Sequence, residues 1–99
     1  MPAFLIADLR TTDPDKAVEY RKAVVPLVKK HGGVYRTRGG EVRTWEGDWR
    51  PERIVIIEFP SMAAAQAFYD DPEYGPVKQL RLDSADGAMI LVEGLETPV

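Results

Sequence analysis

Cysteine is absent from this chain, and histidine occurs once, as His31. The first absence excludes disulfide frameworks, thiolate nucleophiles and cysteine-held zinc or iron–sulfur centres. The second leaves no multi-histidine metal cluster. No cofactor is expected either, since a haem with a histidine ligand would have only His31 to use. Long apolar runs are missing as well: FLIA (Phe4–Ala7), IVII (Ile54–Ile57) and MILV (Met89–Val92) stand out, and each falls far short of the roughly 18 apolar residues that a membrane-spanning helix needs. Positive charge is not in excess. The 13 lysines and arginines face 16 aspartates and glutamates, a net charge of −3, which argues against a general nucleic-acid or anionic-membrane binder. No glycine-rich phosphate loop is present. The opening MPAFLIADLR has no basic leader, and its apolar run breaks at Asp8. The expectation is a cytoplasmic protein that meets neither nucleic acid nor membrane.

What is present suits one globular domain over residues 1–99: 44% of residues are hydrophobic and 29% charged. FLIA, IVII and MILV are too short to fill a helix and read as strands, and VYRTR (Val34–Arg38) alternates as a fourth, continuing past Gly39-Gly40 towards EVRTW. Asp13 is placed to cap a helix, and Pro14 suits its first position. Ala17, Tyr20, Val24, Leu27, Val28 and His31 follow at helical spacing. Gly32 is a natural stop, while Pro26 is expected to kink or split the helix. Ser61 opens a second helix with Met62, Ala65, Phe68 and Tyr69 on one face. Asp71-Pro72 then starts a last piece carrying Tyr74, Val77 and Leu80. The order is β-α-β-β-α-β, an α+β ferredoxin-like arrangement with a four-stranded antiparallel sheet.

The three main strands are apolar in both directions, as strands covered on both faces are. Phe4 and Ile6 oppose Leu5, Ala7 and Leu9; Ile54 and Ile56 oppose Val55, Ile57 and Phe59. Two helices cover only one face of such a sheet. The open face is expected to meet the same face of a second copy, giving a homodimer, a dimeric α/β barrel. Strict alternation puts Arg36 and Arg38 on the face of Val34, and Glu58 on the face of Ile54 and Ile56.

Several blocks of the chain resemble a known family: IADLRTTDPDKAVEYRKAV, HGGVYRTRGG, EGDWRPERIVIIEFPS, AFYDDPEYGPVKQLR and ILVEG. Taken in that order they are similar to the uncharacterised family called domain of unknown function 1330. Its most specific pieces are the RGG after the second strand, the EFPS that ends the third, and the Tyr–x–x–Pro–Glu–Tyr segment at Tyr69–Tyr74. The resemblance implies a fold like the dimeric α/β barrels, a group that includes small cofactor-free monooxygenases, haem-processing enzymes, lactone isomerases and members without known activity. It implies no defined reaction.

Two readings stand for each candidate site residue. Arg38 and Glu58 carry the catalytic expectation: an arginine fork holds a small carboxylate or enolate, and a desolvated carboxylate moves a proton. Their alternative is a structural pair that sets the dimer register. His31 is a general base at the cavity edge or a helix-end histidine favoured by the dipole. Trp45 and Trp49 wall a ligand pocket or cover the sheet and dimer seam. Tyr69 and Tyr74 hydrogen-bond a ligand or pack in the core. RTRGG beside two tryptophans hints at RNA, but Glu41, Glu46, Asp48 and Glu52 nearly cancel its arginines. Two function classes follow. One is a protein that binds or transforms a small, anionic organic molecule by cofactor-independent proton transfer or oxidation. The other is a non-catalytic dimeric structural or interaction module.

Overall fold

The computed structural model describes residues 1–99. Its elements run β1 (Ala3–Thr11), α1 (Pro14–Lys30), β2 (Val34–Arg38), β3 (Ile54–Phe59), α2 (Met62–Asp70), α3 (Tyr74–Ser84) and β4 (Ala85–Glu93). The strands form one antiparallel sheet in the order β2-β3-β1-β4, the ferredoxin-like order. All three helices lie on one face, so the molecule is a slab of 39 × 39 × 17 Å. No helix is long and apolar enough to cross a membrane.

Asp13 and Ser61 cap as their types dictate, but Asp71-Pro72 does not start the last helix: α3 begins at Tyr74 after Glu73, and Asp71 closes α2 instead. The Asp13 side chain accepts from the Lys16 amide at 3.2 Å, and Ser61 Oγ accepts from the Ala64 amide at 3.0 Å. α1 ends at His31, followed by Gly32 at a φ of +78°. Pro26 neither ends nor divides α1. Its missing hydrogen bond is offset by the burial of Val24, Leu27 and Val28 on either side of it. Contrary to the expectation of a longer second strand, β2 stops at Arg38, because Gly39 turns the chain at a φ of +80°. Residues 40–53 form an irregular loop instead.

The core lies under the C-terminal half of α1. Val28, Phe59, Phe68 and Tyr74 meet there, with ring centroids 5.5 Å apart for Phe59–Phe68 and 4.7 Å for Phe68–Tyr74. On the other face of the sheet Phe4, Ile6, Ile54 and Ile56 are only half-buried, Ile90 is 56% exposed, and Val34 and Val92 are exposed too. This apolar face is open, as the two-sided strand pattern requires of a single chain.

Candidate functional site

The register of β2 corrects one expectation from the sequence. Tyr35 pairs with Ile57, Thr37 with Ile56 and Arg38 with Val55. Arg36 is therefore an extra residue, a β-bulge, and the alternation reverses after it. Val55 and Ile57 face the helices, so Tyr35 turns under α1 and Arg38, though exposed, lies on the same side at the rim, while Val34 and Arg36 stay on the open face. Arg38 does not share a face with Val34 and does not meet Glu58. Glu58 accepts instead from Arg36 Nε at 3.1 Å. The expected pairing fails because strict alternation cannot register a bulge.

Arg38 joins a cleft between the sheet and the N-terminal half of α1. Small residues on both sides, Ala7 of β1 and Ala17 of α1, leave space between the layers there. The cavity is narrow, about 50 Å³, with Leu5, Val55, Ile57 and Met89 on its floor. Its polar groups are two tyrosines, Tyr20 and Tyr35, three arginines, Arg21, Arg38 and Arg53, and one threonine, Thr11. No acidic residue lines it. The Arg38 guanidinium lies 5.0 Å from the centre of the Tyr35 ring, a cation–π contact. None of the three guanidiniums forms a salt bridge. Burial, followed by the like charges of Arg21 and Arg38, pushes the Arg53 guanidinium below its ordinary pKa. Burial raises the Tyr35 phenol against the opposing pull of Arg38. Burial also raises Tyr20, whose hydroxyl lies 3.3 Å from that of Tyr74, and the Tyr74 contact adds to the shift.

The remaining candidates lie elsewhere. Tyr74 is fully buried and reaches the cleft only through its hydroxyl contact with Tyr20. Tyr69 sits at the surface beneath Lys78, whose Nζ lies 4.5 Å from the ring centre. His31 Nε2 donates to Asp71 Oδ2 at 2.8 Å, away from the cleft lining. Lys30 Nζ donates to the same oxygen at 2.8 Å, and the Glu73 amide donates to Oδ1 at 2.9 Å. The Lys30 ammonium first, then His31 and the Glu73 amide, hold the Asp71 carboxyl well below the usual carboxylate range. Trp45 and Trp49 arch over the open face and enclose a hollow with Ile6, Ile54 and Ile56. Trp49 Nε1 donates to Asp8 Oδ2 at 2.8 Å, while Trp45 is 91% exposed. No group of three or more histidine, cysteine, aspartate or glutamate side chains is arranged to hold a metal ion.

Reasoning from the sequence missed Arg21, Arg53 and Tyr35 as site residues and took Tyr20 for helix packing. A faint signal existed for one of them: Arg21 directly follows Tyr20 on the inward face of α1. Nothing local marks Arg53, which ends a loop.

The family described as "Domain of unknown function (DUF1330)" matches residues 2–95. No curated protein sequence matches the chain. Among solved structures, the chain is similar to RPA0582, a protein of unknown function from Rhodopseudomonas palustris, with 20% identity over 97% of this chain and 84% of that one and a TM-score of 0.80. It is similar to SnoaB, a cofactor-independent oxygenase from Streptomyces nogalater, with 12% identity over 97% and 95% of the two chains and a TM-score of 0.72. A hypothetical Arabidopsis thaliana protein shares 19% identity over 99% and 90% of the two chains, with a TM-score of 0.64. At these identities the likeness is one of fold.

Proposed function

Since the chain belongs to the DUF1330 family, whose description names no reaction, we propose from the site itself that it is a dimeric protein that binds a small organic molecule in the cleft under α1. There it acts on the molecule without a bound cofactor, by proton transfer or by oxidation with molecular oxygen as the electron acceptor. One observation carries this reading: an apolar cleft that holds phenols and guanidiniums and no carboxylate. The arginines sit at the solvent-reached rim of that cleft, with Arg38 exposed and Arg21 and Arg53 half-buried, where a ligand can meet them from outside. Binding sites combine apolar walls with a few convergent polar groups in this way. Arg38 orients the ligand, and the Tyr35 phenol beneath it is the nearest group able to give or take a proton. SnoaB supplies an analogy for cofactor-free oxidation on this fold. A cytoplasmic location goes with the reading.

The dimer rests on area. The single chain exposes 6551 Å², where a folded monomer of 11.1 kDa is expected to expose about 5,700 Å². The excess is of the order of the roughly 800 Å² that each partner gives up in a standard interface. The exposed apolar sheet face and Trp45 supply surface of the right character.

Two measurements test the reading. Native mass spectrometry is expected to give twice the chain mass. Thermal shifts with a panel of small acids, phenols and ketones are expected to stabilise the wild type and to vanish in Ala17→Phe, which plugs the cleft. A monomer overturns the dimer, and a panel that shifts both proteins alike overturns the cleft. One observation favours the second reading, a non-catalytic dimeric module: Glu58 is held by Arg36 on the open face, as a register-setting pair would be. On that reading Glu58→Gln weakens the dimer and nothing in the cleft responds to any ligand.

A further inference from the structure

The three arginines of the cleft come from distant parts of the chain, and the fold goes out of its way to bring them together. Arg38 lies on the α1 side only because of the bulge at Arg36. Arg53 lies against Gly39: a Cβ there would displace its guanidinium, and the φ of +80° disfavours any other residue at that position. Arg21 approaches from α1, one residue after Tyr20. Three like charges gathered beside apolar walls raise the free energy of the empty protein. No carboxylate lies within 4 Å of any of the three, a state they share with Lys16, Lys22, Lys29, Arg50, Lys78 and Arg81; what sets them apart is that all three line one apolar cleft. The chain is acidic overall, with a net charge of −3, so the cluster is not the by-product of a basic composition. The cleft they line also has an apolar floor of Leu5, Val55, Ile57 and Met89, so an anion held there would carry an apolar body.

We propose that Arg38 and Arg53 together clamp the carboxylate of an amphipathic organic acid whose apolar body lies in the cleft along Leu5 and Val55, with Arg21 closing the charge at the mouth. The proposal rests on the reading of the cleft as a ligand site and narrows it to a substrate class. Paired planar forks match a carboxylate by two parallel hydrogen bonds each, an arrangement that an ammonium cannot supply. Binding neutralises the mutual repulsion of the arginines, so the anion gains more here than at a lone cation. The narrow cavity favours a slim chain or a flat ring over a bulky one.

The test uses octanoate, octan-1-ol and sulfate as probes, titrated calorimetrically into the wild type, Arg38→Gln, Arg53→Gln and Ala17→Phe. Arg53→Lys, which keeps the charge but loses the fork, serves if a glutamine variant does not fold. Octanoate is expected to bind the wild type at least ten-fold more tightly than octan-1-ol, and sulfate is expected not to bind measurably. Each glutamine variant is expected to lose about ten-fold in octanoate affinity and to leave octan-1-ol unchanged, with Arg53→Lys between. Equal affinity for octanoate and octan-1-ol overturns the clamp while the cleft reading stands. Sulfate binding as tightly as octanoate overturns the amphipathic class. If Ala17→Phe leaves the binding of both octyl compounds unaltered, or neither binds, the cleft reading itself falls, and the clamp with it.

Discussion

Asp71 shows how much one side chain can organise. Its carboxylate gathers the end of α1, through Lys30 and His31, onto the start of α3, through the Glu73 amide. Because its pKa is depressed in the fold, the native state binds this proton less readily than the unfolded chain. The contribution is therefore present above the ordinary carboxylate value of 3.8 and is lost as the pH falls below it. Lys30, raised by the same contact, loses its share only at strongly alkaline pH. Asp71→Asn is expected to lower the melting temperature at neutral pH and to flatten the acid limb of stability. Thermal melts of both proteins from pH 7 to pH 2 check this, and parallel curves would remove the ion pair as the cause. Phe59 and Gly87 are simpler cases. Phe59→Ala empties a fully buried site against Phe68 and is expected to cost about 3–5 kcal/mol in urea unfolding. Gly87→Ala drives a Cβ into the Asp8 carbonyl oxygen across the β1–β4 ladder, so it is expected to leave too little stability for soluble expression. The caps at Asp13 and Ser61 were legible as residues, since their partners lie three positions away. The side-chain partners of Asp71, Lys30 and His31, lie 41 and 40 positions away, and no local pattern names them.

Among the elements, β2 carries the most consequence for its length. Its five residues present Tyr35 and Arg38 to the cleft and Arg36 to Glu58, on opposite faces of the sheet. Deleting Arg36 leaves Tyr35, Thr37 and Arg38 in plain alternation with the same pairing to β3, so Arg38 stays on the α1 side. The expected outcome is retained octanoate binding together with a Glu58 that has lost its partner. Loss of binding on deletion would mean that the added twist of the bulge, not the face alone, aims the guanidinium. The strands and helices themselves were readable from apolar runs, caps and prolines. The bulge was not, because VYRTR alternates just as an unbulged strand does.

For the molecule as a whole, the open sheet face is the surface on which the proposed dimer would form. Ile90 is 56% exposed in the single chain, so Ile90→Asp perturbs the isolated fold little while placing a charge on the apolar face of the edge strand β4, inside the proposed interface. Light scattering is expected to show the mass falling by half. Tryptophan emission is expected to move to longer wavelength as Trp45 and Trp49 lose their cover. An unchanged mass would place the partner surface elsewhere or remove the dimer. Glu58→Gln, on the same face, is expected to weaken association while leaving ligand binding in the cleft untouched, since the sheet stands between them.

The sequence by itself determined the element order, the ferredoxin-like class, the two apolar faces of the sheet and the absence of thiol or multi-histidine chemistry. All of these follow from local periodicity, caps and composition, which act over a few residues. Only the tertiary structure decided that Arg38 parts from Glu58, that Arg21 and Arg53 join it, and that His31 serves Asp71 rather than a cavity. Those outcomes depend on strand register and on contacts between segments tens of residues apart, where one extra residue in one strand reverses which side chains meet.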